Sequence, residues 1–187
     1  MQEIISTETV LAVLKRAIVG AIGIEEEVIK PESVLTRDLG AESLDFLDIN
    51  YQIEQAFGLK MARYSVLVHA EELFGEGSVL DTQTRLTKEA VLLLGKRFGG
   101  NASHLRPGMD LEEVLALVTV QSMVDAVMDI IDTRREDCTY CGHTVFHSPD
   151  GCRAVCSSCG EKATYLNGDE LIREWLMKVQ EEQKVFK

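Results

Sequence analysis

The sequence predicts a mainly α-helical protein with a small β element near its C-terminus. Three observations carry this. Apolar residues recur at three- and four-residue steps through six stretches. Gly and Pro residues punctuate the segments between them. Strand–turn–strand patterning is confined to the segment between two Cys-x2-Cys-Gly runs, near residues 138 and 156.

The first helix is expected over residues 7 to 22. Val10, Leu11, Leu14, Ile18 and Ala21 make its apolar stripe, and Gly20 and Gly23 mark its end. The loop from 24 to 42 holds Pro31 and Gly40, and Ile24, Val28, Ile29, Val34, Leu35 and Leu39 are expected to fold onto the core. The second helix runs from about Ser43 to Phe57 and stops at Gly58. Its core candidates are Leu44, Ile49, Ile53 and Phe57, while Leu47 and Tyr51 lie one turn apart.

Ser43 is the most informative residue of the chain. It stands at a helix start among carboxylates, with no base nearby in sequence to take its proton, so it is a poor nucleophile. It makes better sense as a point that another enzyme modifies, the plain alternative being a serine that serves only the helix N-terminus. The run Asp38-Leu39-Gly40-Ala41-Glu42-Ser43-Leu44 resembles the D-L-G-x-D-S-L motif of acyl carrier proteins, with Glu42 where that family usually has Asp. The resemblance covers Met1 to Phe57 and resumes over Leu111 to Thr133, where Thr119-Val120-Gln121-Ser122-Met123-Val124-Asp125 is similar to the opening of the family's last helix. Residues 61 to about 109, and those after about 134, have no counterpart in it.

The resemblance implies a 4′-phosphopantetheine arm on Ser43, added by a phosphopantetheinyl transferase and holding an acyl chain as a thioester. It also implies a partner-facing surface on the second helix, drawn from Glu42, Leu44, Asp45, Leu47, Asp48, Tyr51 and Glu54. Its partners would be acyl-transferring or condensing enzymes with basic docking surfaces. Without the resemblance, these carboxylates read as an ordinary solvated face.

Two further helix patterns lie at about 62 to 74 and 87 to 98, with Gly75, Gly77, Gly99, Gly100, Pro107 and Gly108 around them. This segment is apolar enough to pack, and Val91 to Leu94 must be buried. Asp110 starts a short helix that replaces the family's third. Thr119 caps the next, which runs to about Thr133 with Met123, Val127, Ile130 and Ile131 facing inward.

Cys138-x2-Cys141-Gly142 and Cys156-x2-Cys159-Gly160 can bring four thiolates to one tetrahedral zinc, and Ser148-Pro149-Asp150-Gly151 is a strong turn between two short strands. A glycine after the second cysteine tolerates the positive φ that turns backbone N–H groups toward the sulfurs. The segment resembles a rubredoxin-like zinc ribbon. Four thiolates also suit iron, and zinc is taken because nothing else in the sequence suggests electron transfer. All four ligands being committed, the site is structural: so short a segment, Cys138 to Tyr165, lacks a core of its own and needs the metal to fold. Cys152 is left as a packed thiol, and His143 and His147 as surface residues of the hairpin. Residues 168 to 187 form a last amphipathic helix whose stripe, Leu171, Ile172, Trp175, Leu176 and Val179, is expected to pack on the ribbon or the carrier domain.

Composition narrows the function. The 187 residues include 19 Lys plus Arg against 31 Asp plus Glu, a formal charge of −12. Residues 1 to 60 hold 5 basic and 11 acidic side chains, so half of that charge sits on the carrier-like part. Such a chain lacks the basic face that nucleic acid or anionic membranes require, and residues 138 to 187, with 6 basic and 7 acidic groups, do not supply one. The acidic start MQEIISTE is not a secretory leader, and no early apolar run spans a bilayer, so a cytoplasmic protein is expected, its cysteines serving metal and not disulfides.

The resulting expectation is an acyl-carrier-like helical domain over 1–134 with an insertion at about 61–109, followed over 135–187 by a zinc ribbon and a C-terminal helix, the two parts being separable. The protein would be a carrier for fatty-acid, lipid or polyketide-type synthesis and not itself an enzyme. The rival reading is a zinc-ribbon interaction adaptor whose helical domain only resembles a carrier. Thiol-based catalysis is weakest, since no Ser-His-Asp or Cys-His arrangement is convincing.

Overall fold

A computed structural model of the chain describes residues 4–186; Met1, Gln2, Glu3 and Lys187, at the edges of the leader and domain readings, lie outside them. The fold is mainly α, as the sequence predicts. In chain order the helices are α1 (Thr7–Ile22), α2 (Ser43–Phe57), α3 (Val66–Phe74), α4 (Lys88–Phe98), α5 (Glu112–Leu115), α6 (Val120–Asp132) and α7 (Gly168–Gln183). A two-stranded antiparallel sheet, β1 (Phe146–His147) with β2 (Val155–Cys156), lies between α6 and α7 and pairs Phe146 with Cys156 and His147 with Val155.

The described residues form two compact units. One contains the chain up to Met61 together with Thr119–Gly168; the other contains Ala62–Val118 and the chain from Asp169 onward. These units run differently from the division at residue 134: the ribbon shares a unit with the carrier-like helices, and the C-terminal helix shares one with the insertion.

In the first unit α1 packs against α2 and α6. Val10, Val13, Leu14, Ala17 and Ile18 of α1 are buried with Ile49, Ile53 and Phe57 of α2 and Val120, Met123, Val124, Val127 and Ile130 of α6. Each full burial of such a side chain contributes about 1.5–3 kcal/mol. The α1 stripe is rotated from the expected one: Val13 and Ala17 are buried, while Leu11 and Ala21 are only half-buried. Ser6 caps α1 by accepting the Thr9 N–H at 3.2 Å, and Gly23 ends it at φ 78°, a left-handed conformation that glycine adopts without strain. Of the loop residues expected in the core, Ile29, Val34, Leu35 and Leu39 are buried, but Val28 is exposed at the end of a short 3-10 turn, Glu26–Val28.

The ribbon belongs to this unit through side-chain and backbone bonds. Arg153 Nε donates to the Ala56 carbonyl at 3.2 Å and Arg153 Nη2 to the Gln55 carbonyl, both in the last turn of α2. The Leu166 N–H donates to Thr133 Oγ1 at 2.9 Å, and the Gly168 N–H to the Lys60 carbonyl at 2.8 Å.

The second unit has its own core of Val66, Leu67, Ala70, Val79, Leu86, Ala90, Leu93, Leu94, Ala102, Leu105 and Leu117, closed by Leu176, Val179 and Phe186 from α7 and the residues after it. Ile172 and Trp175 pack against that core, so the α7 stripe meets the insertion helices, which lie within the 1–134 domain that was one of the two surfaces expected for it. Phe74 and Phe186 stack with ring centroids 4.2 Å apart. Asp169, in the first turn of α7, accepts the backbone N–H groups of Arg63 at 3.0 Å and Tyr64 at 3.2 Å, and lies 2.8 Å from Nε2 of the buried His69. Arg173 Nε donates to His69 Nδ1 at 3.2 Å, which leaves the ring proton on Nε2, facing Asp169. No described helix is long and apolar enough to cross a membrane.

Candidate functional site

The loop before α2 is built to hold Ser43 at a fixed place. The Val34 N–H donates to the Asp38 carboxylate at 2.9 Å, the Ala41 N–H reaches the Leu35 carbonyl at 2.8 Å, and Gly40 sits at φ 76° to turn the chain. Val34 bridges to Thr119, and the Val120 and Gln121 N–H groups donate to the Ser33 and Pro31 carbonyls at 3.0 and 2.8 Å. The two stretches that carry the sequence resemblance therefore meet here. Thr119 is the N-cap of α6, as expected, accepting the Ser122 N–H at 3.1 Å.

Ser43 is exposed and is the first helical residue of α2, while the capping position is Glu42. The Asp45 carboxylate accepts the Glu42 N–H at 2.7 Å, so capping falls to the neighbours of Ser43. Among the described residues nothing engages its hydroxyl. The α2 N-terminus, where aligned N–H groups favour negative charge, is a suitable place for a phosphodiester.

The residues expected to face a partner divide into two sets. Leu44, Leu47 and Tyr51 are 77%, 66% and 60% exposed and share one face of α2 at helical spacing. Leu44 is thus absent from the core in which it was expected. It lies at the second helical position on the solvent side, and the buried face begins at Ile49. Glu42 and Asp48 are exposed beside this stripe, Asp48 accepting Gln52 Nε2 at 3.1 Å. Asp45 is tied to the helix start, and Glu54 is drawn into the fold, accepting the Met61 N–H at 3.0 Å and Lys60 Nζ at 2.6 Å.

The cysteine cluster is a pair of matching knuckles. The Cys138 N–H donates to the His143 carbonyl and the Cys156 N–H to the Glu161 carbonyl, both at 2.8 Å; the Gly142 and Gly160 N–H groups return to the Cys138 and Cys156 carbonyls at 2.8 and 2.9 Å. Gly142 and Gly160 lie at φ 72° and 75°, the left-handed region that the repeated Cys-Gly pairs require. Zn–S bonds of about 2.3 Å in a tetrahedron put sulfurs about 3.8 Å apart. Cys138 and Cys159 sulfurs are 3.7 Å apart, those of Cys141 and Cys156 3.6 Å, and all four lie within 4.8 Å of one another. A disulfide would need about 2.0 Å. The donor set therefore fits one shared thiophilic cation.

Electrostatics point the same way. N–H groups of Cys159 and Ser158 hold the Cys156 thiol down at about 6. The Glu161 N–H acts to lower Cys159, but desolvation and the Cys141, Cys138 and Cys156 thiols around it push it up to about 12. Four sulfurs this close cannot all ionise without a cation between them. Cys152 lies outside the cluster, its thiol pushed up by burial and by Asp150. His143 and His147 also lie outside it, His147 Nδ1 being 3.0 Å from the Ser157 hydroxyl. Sequence reasoning missed Arg153; its only signal is a cation just outside a metal knuckle, in a stretch where no periodicity shows what it would reach.

Comparison with known proteins bears on the N-terminal part. The family described as phosphopantetheine attachment site matches residues 12–69, from within α1 through α2 and into α3, past residue 61, where the resemblance was expected to lapse. Acyl carrier protein AcpXL of Rhizobium meliloti (strain 1021) is 55% identical over 38 residues, 20% of this chain and 40% of that protein. AcpXL proteins of Brucella melitensis biotype 1 and Brucella suis biovar 1 are each 53% identical over 38 residues, 20% of this chain and 41% of theirs. The chain thus spans about two fifths of the length of these curated relatives. No solved structure matches it. Residues 12–69 are therefore similar to phosphopantetheine attachment sites, and part of this chain is similar to acyl carrier proteins.

Proposed function

We propose that this protein is an acyl carrier whose attachment residue is Ser43. The observation that carries the reading is an exposed serine at the first position of α2, relieved of capping by Glu42 and Asp45 and held by a loop anchored to α6. The arm supplies a thiol at its end, on which acyl groups ride as thioesters. The chain itself orients. Asp38 and Gly40 fix the turn, α2 presents the serine, and the Leu44–Leu47–Tyr51 stripe offers apolar area to a partner, with Glu42 and Asp48 steering its basic surface. Tethering raises the local substrate concentration at the partner's active site. The bond-making steps belong to those partners, enzymes of fatty-acid, lipid or polyketide-type synthesis, in the cytoplasm.

Cys138, Cys141, Cys156 and Cys159 would hold zinc in a closed four-sulfur site, where the metal supplies folding energy and no position is left for a catalytic water.

Intact mass after exposure to a phosphopantetheinyl transferase tests the proposal. The chain should gain about 340 Da, the mass of the arm, and Ser43→Ala should gain nothing while keeping its helical signal. A wild-type chain that stays unmodified would favour the adaptor reading, in which the ribbon recruits partners and the helical domain is only a scaffold.

A further inference from the structure

The ribbon is not an appendage of the carrier unit. We infer that Arg153 is a positioning residue that couples metal binding at the cysteine cluster to the stability of the serine-bearing helix α2. The inference rests on the reading of the four cysteines as a metal site.

The argument starts at the far end of α2. That helix has no basic residue in its last turn; the Gly58 N–H takes the Glu54 carbonyl at 2.9 Å, and the partial negative charge on the carbonyls beyond it calls for a cation from elsewhere. The guanidinium of Arg153 supplies one, Nε reaching the Ala56 carbonyl at 3.2 Å and Nη2 the Gln55 carbonyl. A planar fork can hold two adjacent carbonyls at once. Arg153 is held in turn from both sides within the ribbon. Its own N–H donates to the Asp150 carboxylate at 2.8 Å, which also takes the Cys152 N–H at 2.9 Å and so fixes the hairpin turn. Three residues on, Cys156 sits in β2, paired with Phe146, its N–H bonded to the Glu161 carbonyl at 2.8 Å. An ion shared by Cys138, Cys141, Cys156 and Cys159 locks β2, β2 locks the Asp150 turn, and the turn aims Arg153. Without the ion the short hairpin has little to hold it, and the guanidinium loses its fixed origin.

The consequence is linkage. Whatever stabilises the ribbon stabilises the C-terminal turn of α2, and α2 positions Ser43 at its other end.

Amide hydrogen exchange on the full chain, read residue by residue with and without one equivalent of zinc, tests this, with metal content measured alongside. In wild type, chelation should lower protection of the last-turn amides of α2 about tenfold, the effect expected of a well-placed cation at a helix C-terminus. Arg153→Ala should still bind one zinc, yet show the lowered protection with or without it. Arg153→Lys, which keeps the charge but not the fork, should recover part of the zinc response. Protection in α2 that ignores zinc in wild type, or an Arg153→Ala protein whose α2 still responds to zinc, overturns the linkage while leaving the metal site standing. A chain that binds no zinc at all overturns both, and the metal measurement tells the two failures apart.

Discussion

Asp38 and Val34 hold each other twice. The Asp38 N–H donates to the Val34 carbonyl at 2.9 Å, and the Val34 N–H donates to the Asp38 carboxylate at 2.9 Å. The motif aspartate is therefore a clasp that shapes the loop delivering Ser43. The Arg37 guanidinium and the Val34 N–H hold its carboxyl at about 2, below the ordinary 3.8. A lowered carboxyl stabilises the fold above its ordinary value and loses that contribution as pH falls through the native one. The clasp should thus loosen between about pH 4 and pH 2. A carboxyl-carbon titration by NMR should place the Asp38 midpoint near 2; a midpoint at or above 3.8 would show that the clasp does not hold in solution. Asp38→Asn should remove this acid-sensitive step.

Leu47→Glu and Tyr51→Ala should impair transfer by a cognate enzyme while changing stability by no more than about 0.5 kcal/mol, because both side chains are largely exposed. Asp48→Lys is the cleaner test of charge steering than Asp45→Lys, since Asp45 also holds the Glu42 N–H and its loss costs the helix start about 1 kcal/mol. Asp48→Lys should slow association more than it speeds dissociation, with an effect that shrinks as salt is added. Association rates that are unchanged at low salt would leave the acidic face a solvated surface.

Cys138→Ser and Cys156→Ser should each weaken zinc binding sharply and loosen the ribbon, because the tetrahedral site loses one of its four thiolates. Cys152→Ser should still bind one zinc per chain, since that sulfur lies outside the cluster. Zinc stoichiometry by elemental analysis decides this, and loss of zinc from Cys152→Ser would overturn the ligand assignment.

Asp169→Asn should destabilise the second unit by about 2 kcal/mol. The Arg63 and Tyr64 N–H groups and the His69 ring proton all reach its Oδ1, with the Arg63 N–H also 3.2 Å from Oδ2, so an amide loses the charge that strengthens these bonds and sets an NH2 donor against the Arg63 N–H. Denaturant unfolding followed through Trp175, which packs in that unit, should report the loss. An unchanged midpoint would show that the network around His69 contributes little.

Much of the architecture was legible because it rests on local signals. The capping Thr119, Gly23 and Gly58 at helix ends, and the α1, α2 and α4 spans, follow from periodicity and turn chemistry alone, whereas α7 starts at Gly168 as expected but ends at Gln183, short of the expected residue 187. The cysteine cluster was legible because thiolate spacing has few other uses. What escaped was the destination of polar side chains. Of the carboxylates read as facing partners, Glu54 is spent on the Met61 N–H. Others whose partners the sequence does not name also close loops: Asp38 on Val34, and Glu71 on Gly77, Val79 and Leu80. A carboxylate that will accept a backbone N–H looks the same in a sequence as one facing water. The burial of His69 escaped for the same reason, its partners Asp169 and Arg173 lying about a hundred residues away. The Leu171–Val179 stripe was recognised as apolar, but periodicity names a face and not the surface it meets.

The order of the chain gives the two compact units a temporal consequence. Each is assembled from two separated stretches: the first waits for Thr119–Gly168, the second for Asp169 onward. On the ribosome, α1 and α2 emerge without α6 to cover them, and the insertion helices emerge without Leu176 and Val179 to close their core. Neither unit can finish folding as its first half leaves the exit tunnel, and each must hold exposed apolar surface until its closing segment arrives. Emergence of the segment that begins at Asp169 is therefore the event that completes the second unit, and a nascent chain that has cleared the tunnel only as far as residue 168 presents one finished unit and one open core.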